Sequence, residues 1–184
     1  MTQHEPEFSH VITTRSIPDQ PIELQANLQE RERLSERFGV TEIAKLEAQL
    51  SLGTKRNLEG AKGDLVTAKG HLHATVTQPC AVSGDPLTYT VEESLDLVFV
   101  PAGSFPEMDS EEEIEIDSSS PDEIEFEDES IDLGEAIAQS LGLAIDPYRE
   151  GPQADRVRAE AGIESDEDRA PSGPLADALA AFKK

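Results

Sequence analysis

The chain has 184 residues, a formal net charge of −24, no Trp and only 4 % aromatic residues. That length supplies one domain plus accessory segments, with a modest core of Leu, Ile, Val and Ala. The acidity argues against a surface that grips nucleic-acid phosphates or anionic membranes and points to basic partners. A single cysteine, Cys80, excludes an internal disulfide and fits a reducing, cytoplasmic setting. The opening MTQHEPEFSH has neither a basic n-region nor an apolar h-region, so it does not read as a signal peptide. No apolar run approaches the roughly 20 residues that a membrane helix needs.

Taken in chain order, EFSHVITTR (residues 7–15) predicts a first strand from Phe8, Val11 and the Thr pair. IPDQPIEL follows as a Pro-rich loop. NLQERERLSERFGV predicts a helix: Asn27 caps it, Glu30 completes a capping box, and Gly39 ends it. Its arginines (Arg31, Arg33, Arg37) are balanced by Glu30, Glu32 and Glu36, as on a solvated face laced by pairs four residues apart. TEIAKLEAQLSL is composed like a helix, but Leu46, Ala48, Leu50 and Leu52 alternate, which favours a strand. After the turn-rich GTKRNLEGAKG, a second strand is expected over Leu65–Gln78. CAVSGDP forms a turn, and LTYTVEESLDLVFV a third strand ending at Val100. Three successive strands with short turns make an antiparallel meander.

The charge is concentrated beyond this point. Residues 1–69 hold nine Lys/Arg against eleven Asp/Glu, and residues 149–184 hold six against eight. Residues 70–148 hold twenty Asp/Glu and no Lys or Arg, most of the acids lying between Pro106 and Asp132. A self-repelling run of this kind is expected to be a solvated, loosely ordered loop. Within it EIEID and EIEFED alternate Ile114, Ile116, Ile124 and Phe126 with acids, so one of these pieces is a candidate edge strand. DLGEAIAQSLGLAI then predicts a helix capped by Asp132, boxed by Glu135 and stopped by Pro147, with Leu133, Ile137, Leu141 and Ile145 on its apolar face. Residues 151–173 lack a core pattern and read as a flexible linker. GPLADALAAFKK closes the chain with Leu175, Leu179 and Phe182 at helical spacing.

The expected fold class is α+β: an antiparallel β-meander sheet of about four to six strands with two main helices, an acidic loop and a mostly disordered C-terminal tail. The expected domain spans residues 1–150 with an acidic insert at about 106–131, followed by the 151–173 linker and a short helical motif at 174–184.

Three pieces in order carry a family resemblance. The first is Gly70-x-Leu72-x-Ala74-x-Val76-x-Gln78-x-Cys80-x-Val82, leading to Phe99-Val100-Pro101. The second is Ile131-Asp132-Leu133-Gly134-Glu135, leading to Leu141 and Asp146-Pro147-Tyr148. The third is Pro174–Lys184 with Leu175, Leu179, Phe182 and Lys183. Together the chain resembles the YceD-like family in its alphaproteobacterial form. The resemblance implies a ribosome biogenesis factor for accumulation of large-subunit (23S) ribosomal RNA, whose genes often neighbour that of a small, basic ribosomal protein. Many members carry Cys-x-x-Cys where this chain has Cys80 and Ser83, so a zinc ribbon loses its ligands here.

His71 and His73 share a strand face and Cys80 lies downstream, which is the basis of an alternative reading as a small metal- or thiol-dependent enzyme. A structural zinc wants four ligands and the fourth is missing, so neither a metal nor a cofactor is expected. The carboxylates of the EEE and EDE runs are poor general acids, because that role needs burial. Lys55, Arg56, Lys62 and Lys69 form the one net-basic stretch and the only foothold for direct RNA contact. The reading adopted is a cytoplasmic binding protein with no catalytic residues. Glu111, Glu112, Glu113, Glu115, Glu125, Glu127 and Asp128 would face large-subunit ribosomal proteins or pre-50S particles. Leu175, Leu179 and Phe182 would form a docking motif.

Overall fold

The structure, a computed structural model, describes residues 6–55, 64–103 and 122–163. Seven strands and three helices are found among them, in the order β1 (Val11–Thr13), β2 (Ile22–Gln25), α1 (Leu28–Phe38), β3 (Glu42–Lys55), β4 (Leu65–Pro79), β5 (Pro86–Pro101), β6 (Asp122–Phe126), β7 (Ser130–Asp132), α2 (Leu133–Ala144) and α3 (Ala154–Ala161). The chain divides into two compact units. One contains residues up to Gln78 and Thr88–Pro147; the other contains Pro79–Leu87 and the chain from Tyr148 onward.

In the first unit a five-stranded sheet runs β2-β3-β4-β5-β6, and a separate two-stranded sheet pairs β1 with β7. β3 and β4 form a long antiparallel ladder from Glu42↔Thr77 to Lys55↔Leu65, with an irregularity between Ile43 and Lys45. Leu46, Ala48 and Leu50 on β3 are buried, as are Leu72, Ala74 and Val76 on β4. This is the period-two alternation that outweighs the helix-forming Ala, Glu and Lys of β3: burial of one pleated face decides against local propensity. The same core takes in Leu34 of α1, Leu97 and Phe99 of β5, and Ile137 and Leu141 of α2.

β2 is where the sequence reading fell short. Ile22–Gln25 lies in the stretch expected to be a Pro-rich loop, yet it pairs antiparallel with β3 from Ile22↔Leu50 to Gln25↔Glu47. Pro18 and Pro21 stand before the strand, and four residues are too few to show a convincing alternation. The edge position also tolerates a neighbouring proline.

Asn27 caps α1 as expected. Its side chain accepts from the Glu30 N–H at 3.1 Å, and the Glu30 carboxylate accepts from the Asn27 N–H at 2.7 Å. Gly39 closes the helix with φ +66°, a left-handed conformation that glycine adopts without penalty. α2 starts at Asp132, whose Oδ1 accepts from the N–H groups of Gly134 and Glu135. The expected box is not made by Glu135, whose carboxylate instead takes two bonds from Arg37 at 2.9 and 3.0 Å. Gly134 is sterically required: a Cβ there would lie 2.7 Å from the Phe8 carbonyl oxygen and 2.8 Å from the His10 nitrogen.

In the second unit the CAVSGDP turn folds on itself, with the Cys80 N–H donating to the Asp85 carbonyl at 2.8 Å and Gly84 donating back to Cys80 at 2.9 Å. Part of the stretch expected to be a linker is helical: α3 spans Ala154–Ala161, buries Ala154 and ends on the left-handed Gly162. Its apolar content is too small to show at sequence level. An ion pair between Arg158 and Glu150 and the single buried alanine hold it in place. The closing motif at 174–184 and most of the acidic insert lie outside the described residues.

Candidate interaction surface

The acidic piece EIEFED contributes β6, which pairs parallel with β5 from Leu97↔Asp122 to Pro101↔Phe126 and forms the far edge of the sheet. The edge-strand expectation therefore holds for this piece, though its direction is opposite to that of a simple hairpin. Parallel neighbours need a connection of a dozen or more residues, and the sequence between Pro101 and Asp122 is long enough for one.

Ile124 and Phe126 are half-buried and pack on the core, whereas Asp122, Glu123 and Glu125 are exposed. The Ala102 N–H donates to the Phe126 carbonyl at 2.9 Å, so the peptide groups of Phe126 point at β5. Alternation along a strand then directs those of Ile124 inward and those of Glu123 and Glu125 off the sheet edge. Among the described residues no strand covers that edge.

Beyond β6 the chain turns through Glu127–Glu129. Asp128 (φ +52°) and Glu129 (φ +55°) are both left-handed, a costly backbone for side chains of this kind. The turn is anchored from β1: Arg15 grips the Glu129 carboxylate at 2.7–2.8 Å, and the Thr14 N–H donates to the Glu129 carbonyl at 2.9 Å. Among the described residues no cation pairs with Glu125, Glu127 or Asp128. Between this turn, β6 and α2 lies a groove of about 400 Å³. Phe99, Ile124, Phe126, Ile131 and Ala136 give it apolar walls, while Glu125, Glu127 and Asp128 stand along it.

The structure thus brings Glu125, Glu127 and Asp128 together on one edge. Glu111, Glu112, Glu113 and Glu115, and the docking-motif residues Leu175, Leu179 and Phe182, lie outside the described residues. The sequence reading missed the groove itself. The alternation of Ile124 and Phe126 was visible, but their juxtaposition with Ile131 and Ala136 depends on a parallel pairing that no local pattern encodes.

A second polar surface lies on the outer face of β2, β3 and β4. His73 stands opposite Glu47 and His71 opposite Gln49. Two amide–carboxylate bonds tie the strands, Gln25 to Glu47 at 3.2 Å and Gln49 to Glu23 at 3.3 Å. His73 Nδ1 is buried without a hydrogen-bond partner. Among the described residues no three His, Cys, Asp or Glu side chains are grouped so that they could hold a metal ion. The metal-centre alternative built on His71, His73 and Cys80 therefore has no ligand geometry behind it.

Cys80 is buried, and its Sγ accepts from the N–H groups of Gly151 at 3.2 Å and Ser83 at 3.4 Å. The Ser83 hydroxyl is the largest influence on the thiol. With the backbone N–H groups of Ser83, Gly151 and Val82 it lowers the pKa to about 7. Of the basic stretch, Lys69 is committed to Asp96 at 2.7 Å, Lys55 ends β3, and Arg56 and Lys62 lie outside the described residues.

With these surfaces described, comparison with known proteins gives one positive finding. The model of the family described as large ribosomal RNA subunit accumulation protein YceD matches residues 68–183. The chain belongs to the YceD family. The match takes in β4, β5, β6, β7, α2 and α3, and so both Cys80 and the acidic edge. No curated protein and no solved structure matches this YceD-family chain. No described helix is long and apolar enough to cross a membrane.

Proposed function

We propose that this chain supports the accumulation of large-subunit ribosomal RNA by binding, without catalysis, through contacts with a basic ribosomal protein or with pre-50S particles in the cytoplasm. One observation carries the reading: residues 70–148 hold twenty Asp/Glu and no Lys or Arg, in a chain of a family described by ribosomal RNA accumulation. The described part of that stretch carries Glu125, Glu127 and Asp128 at a sheet edge that no described strand covers. Charge of one sign on one face attracts a partner of the other sign, speeds encounter and repels RNA phosphates. Direct RNA binding has little to stand on, since Lys69 is already ion-paired and the sequence of residues 55–69 holds no aromatic residue for stacking. The remaining acids, Glu111, Glu112, Glu113 and Glu115, add to the same charge in this reading, and Leu175, Leu179 and Phe182 add a separate docking motif.

The test is affinity capture from a low-salt lysate, using the full chain and a variant with the acids of residues 106–131 changed to Asn or Gln. Large-subunit proteins and pre-50S particles should copurify with the full chain and be lost, or be released at much lower salt, with the variant. Equal capture by both proteins would overturn the charge-based contact.

A further inference from the structure

Within that reading, we propose that the outer edge of β6 is a strand-addition site for an extended basic segment of a partner protein, one in which Lys or Arg alternates with apolar residues.

Because the Phe126 carbonyl accepts from Ala102, the peptide groups of Glu123 and Glu125 project away from β5, and no described strand meets them. An uncovered edge offers a row of donors and acceptors to any extended chain. The side chains then restrict which chain fits. A strand laid along β6 places its own side chains alternately on the two faces of the sheet, in step with those of β6. On one face they meet the carboxylates of Glu123 and Glu125, both exposed. On the other they meet Ile124 and Phe126, half-buried beside the groove that Phe99, Ile131 and Ala136 line. The complementary segment is therefore cationic at every second position and apolar between. At its far end Glu127 and Asp128, held out by the left-handed turn at Asp128–Glu129, extend the acidic rim to receive one more cation.

Charge selects among occupants. A second copy of β6 would set Glu123 and Glu125 against their own like, which is destabilising for directly opposed residues. A nucleic acid strand would meet the same carboxylates with phosphates. A basic segment alone gains from all three features: the backbone edge, the apolar wall and the acids.

The experiment measures binding of a fluorescent eight-residue peptide of alternating Lys and Val to the full chain at low salt. A peptide with the same residues in two blocks, four Lys then four Val, controls for charge alone. An alternating peptide with N-methylated amides controls for the backbone. On the protein side, Glu125→Pro removes an outward N–H that β5 does not use, and Glu125→Gln removes the charge while keeping that N–H. The alternating peptide should bind, and both the N-methylated peptide and Glu125→Pro should weaken binding about tenfold, the scale of one to two hydrogen bonds. Glu125→Gln should weaken it about threefold, as for an exposed charge pair. Equal binding of the block and alternating peptides, or of the N-methylated and unmodified ones, overturns strand addition even if Glu125→Pro does not fold. A several-fold gain in peptide affinity when Leu175, Leu179 and Phe182 are changed together to Ala also overturns the proposal, since the edge would then be occupied by this chain's own tail. Failure here with intact capture of pre-50S particles would refute the strand-addition mode alone. Peptide binding without such capture would refute the ribosomal partner and leave the edge site standing.

Discussion

At the scale of single residues, Cys80 shows how a substitution in a turn changes its chemistry. Ser83 takes the position of the second cysteine of the Cys-x-x-Cys expected from the family resemblance, and its hydroxyl and N–H now serve the Cys80 sulfur. Hydrogen bonds to a thiolate favour the charged form, which is why the pKa falls to about 7. A folded pKa below the unfolded one contributes stability that is fully present above the unfolded value, about 8.5 for a free cysteine, and is lost as pH falls through about 7. We expect thiolate absorbance, with Cys80→Ser as blank, to titrate near 7 in the native chain and distinctly higher in Ser83→Ala. The thermal stabilities of the native and Ser83→Ala proteins should coincide at low pH and separate in alkaline buffer. An unchanged titration in Ser83→Ala would show that the backbone N–H groups alone set the thiol. The sequence placed Cys80 in a turn. That the Gly151 N–H comes from another stretch of chain to reach its sulfur was beyond any local reading.

At the scale of elements, the two long helices begin with different solutions to the same need. α1 is capped locally, Asn27 and Glu30 satisfying each other's N–H groups, and the Asn-x-x-Glu spacing made this legible in advance. α2 is capped across the fold. Besides the helix N–H groups, Asp132 accepts from the His10 N–H at 2.8 Å and from the Ser9 hydroxyl at 2.6 Å, tying the residues just before β1 to the helix start. Arg37 of α1 draws Glu135 away from any local box. We expect Asn27→Ala to cost about 1 kcal/mol, an ordinary cap loss, and Asp132→Ala to cost about 2 kcal/mol or more because charge-assisted bonds to Ser9 and His10 go with the cap. Urea unfolding of both variants provides the comparison, and equal losses would mean that the Ser9 and His10 bonds contribute nothing measurable. The failure to foresee β2 and α3 belongs to this scale too. Each is short: β2 is held by pairing with β3, and α3 by one buried alanine and the Arg158–Glu150 ion pair, so neither carries a period of its own.

At the scale of the whole molecule, the unbalanced charge carries a cost to the fold beside the binding role proposed for it. A net charge of −24 repels itself in the compact state, and the repulsion is screened by salt with a Debye length of about 10 Å at 0.1 M. We expect the melting temperature to rise with added NaCl between low and moderate ionic strength. The dependence should flatten when the acids of residues 106–131 are neutralised. Calorimetry across a salt series measures both. A flat series in the native chain would show that this charge is already dispersed in solvent and does not load the fold.

By itself the sequence determined the composition of the core, the alternation of the three long strands, the start of α1 and the concentration of acid on one stretch of chain, along with the family membership that the match over residues 68–183 bears out. These are properties of neighbours along the chain, written in periods of two and near four and in charge counts. Tertiary structure decided the rest: that β6 runs parallel to β5, that Asp132 caps α2 while holding Ser9 and His10, and that the acids of EIEFED border an apolar groove at a sheet edge that no described strand covers. Each of these joins residues far apart in sequence, and the free energy that selects them comes from packing and hydrogen bonding between elements, which no local pattern records.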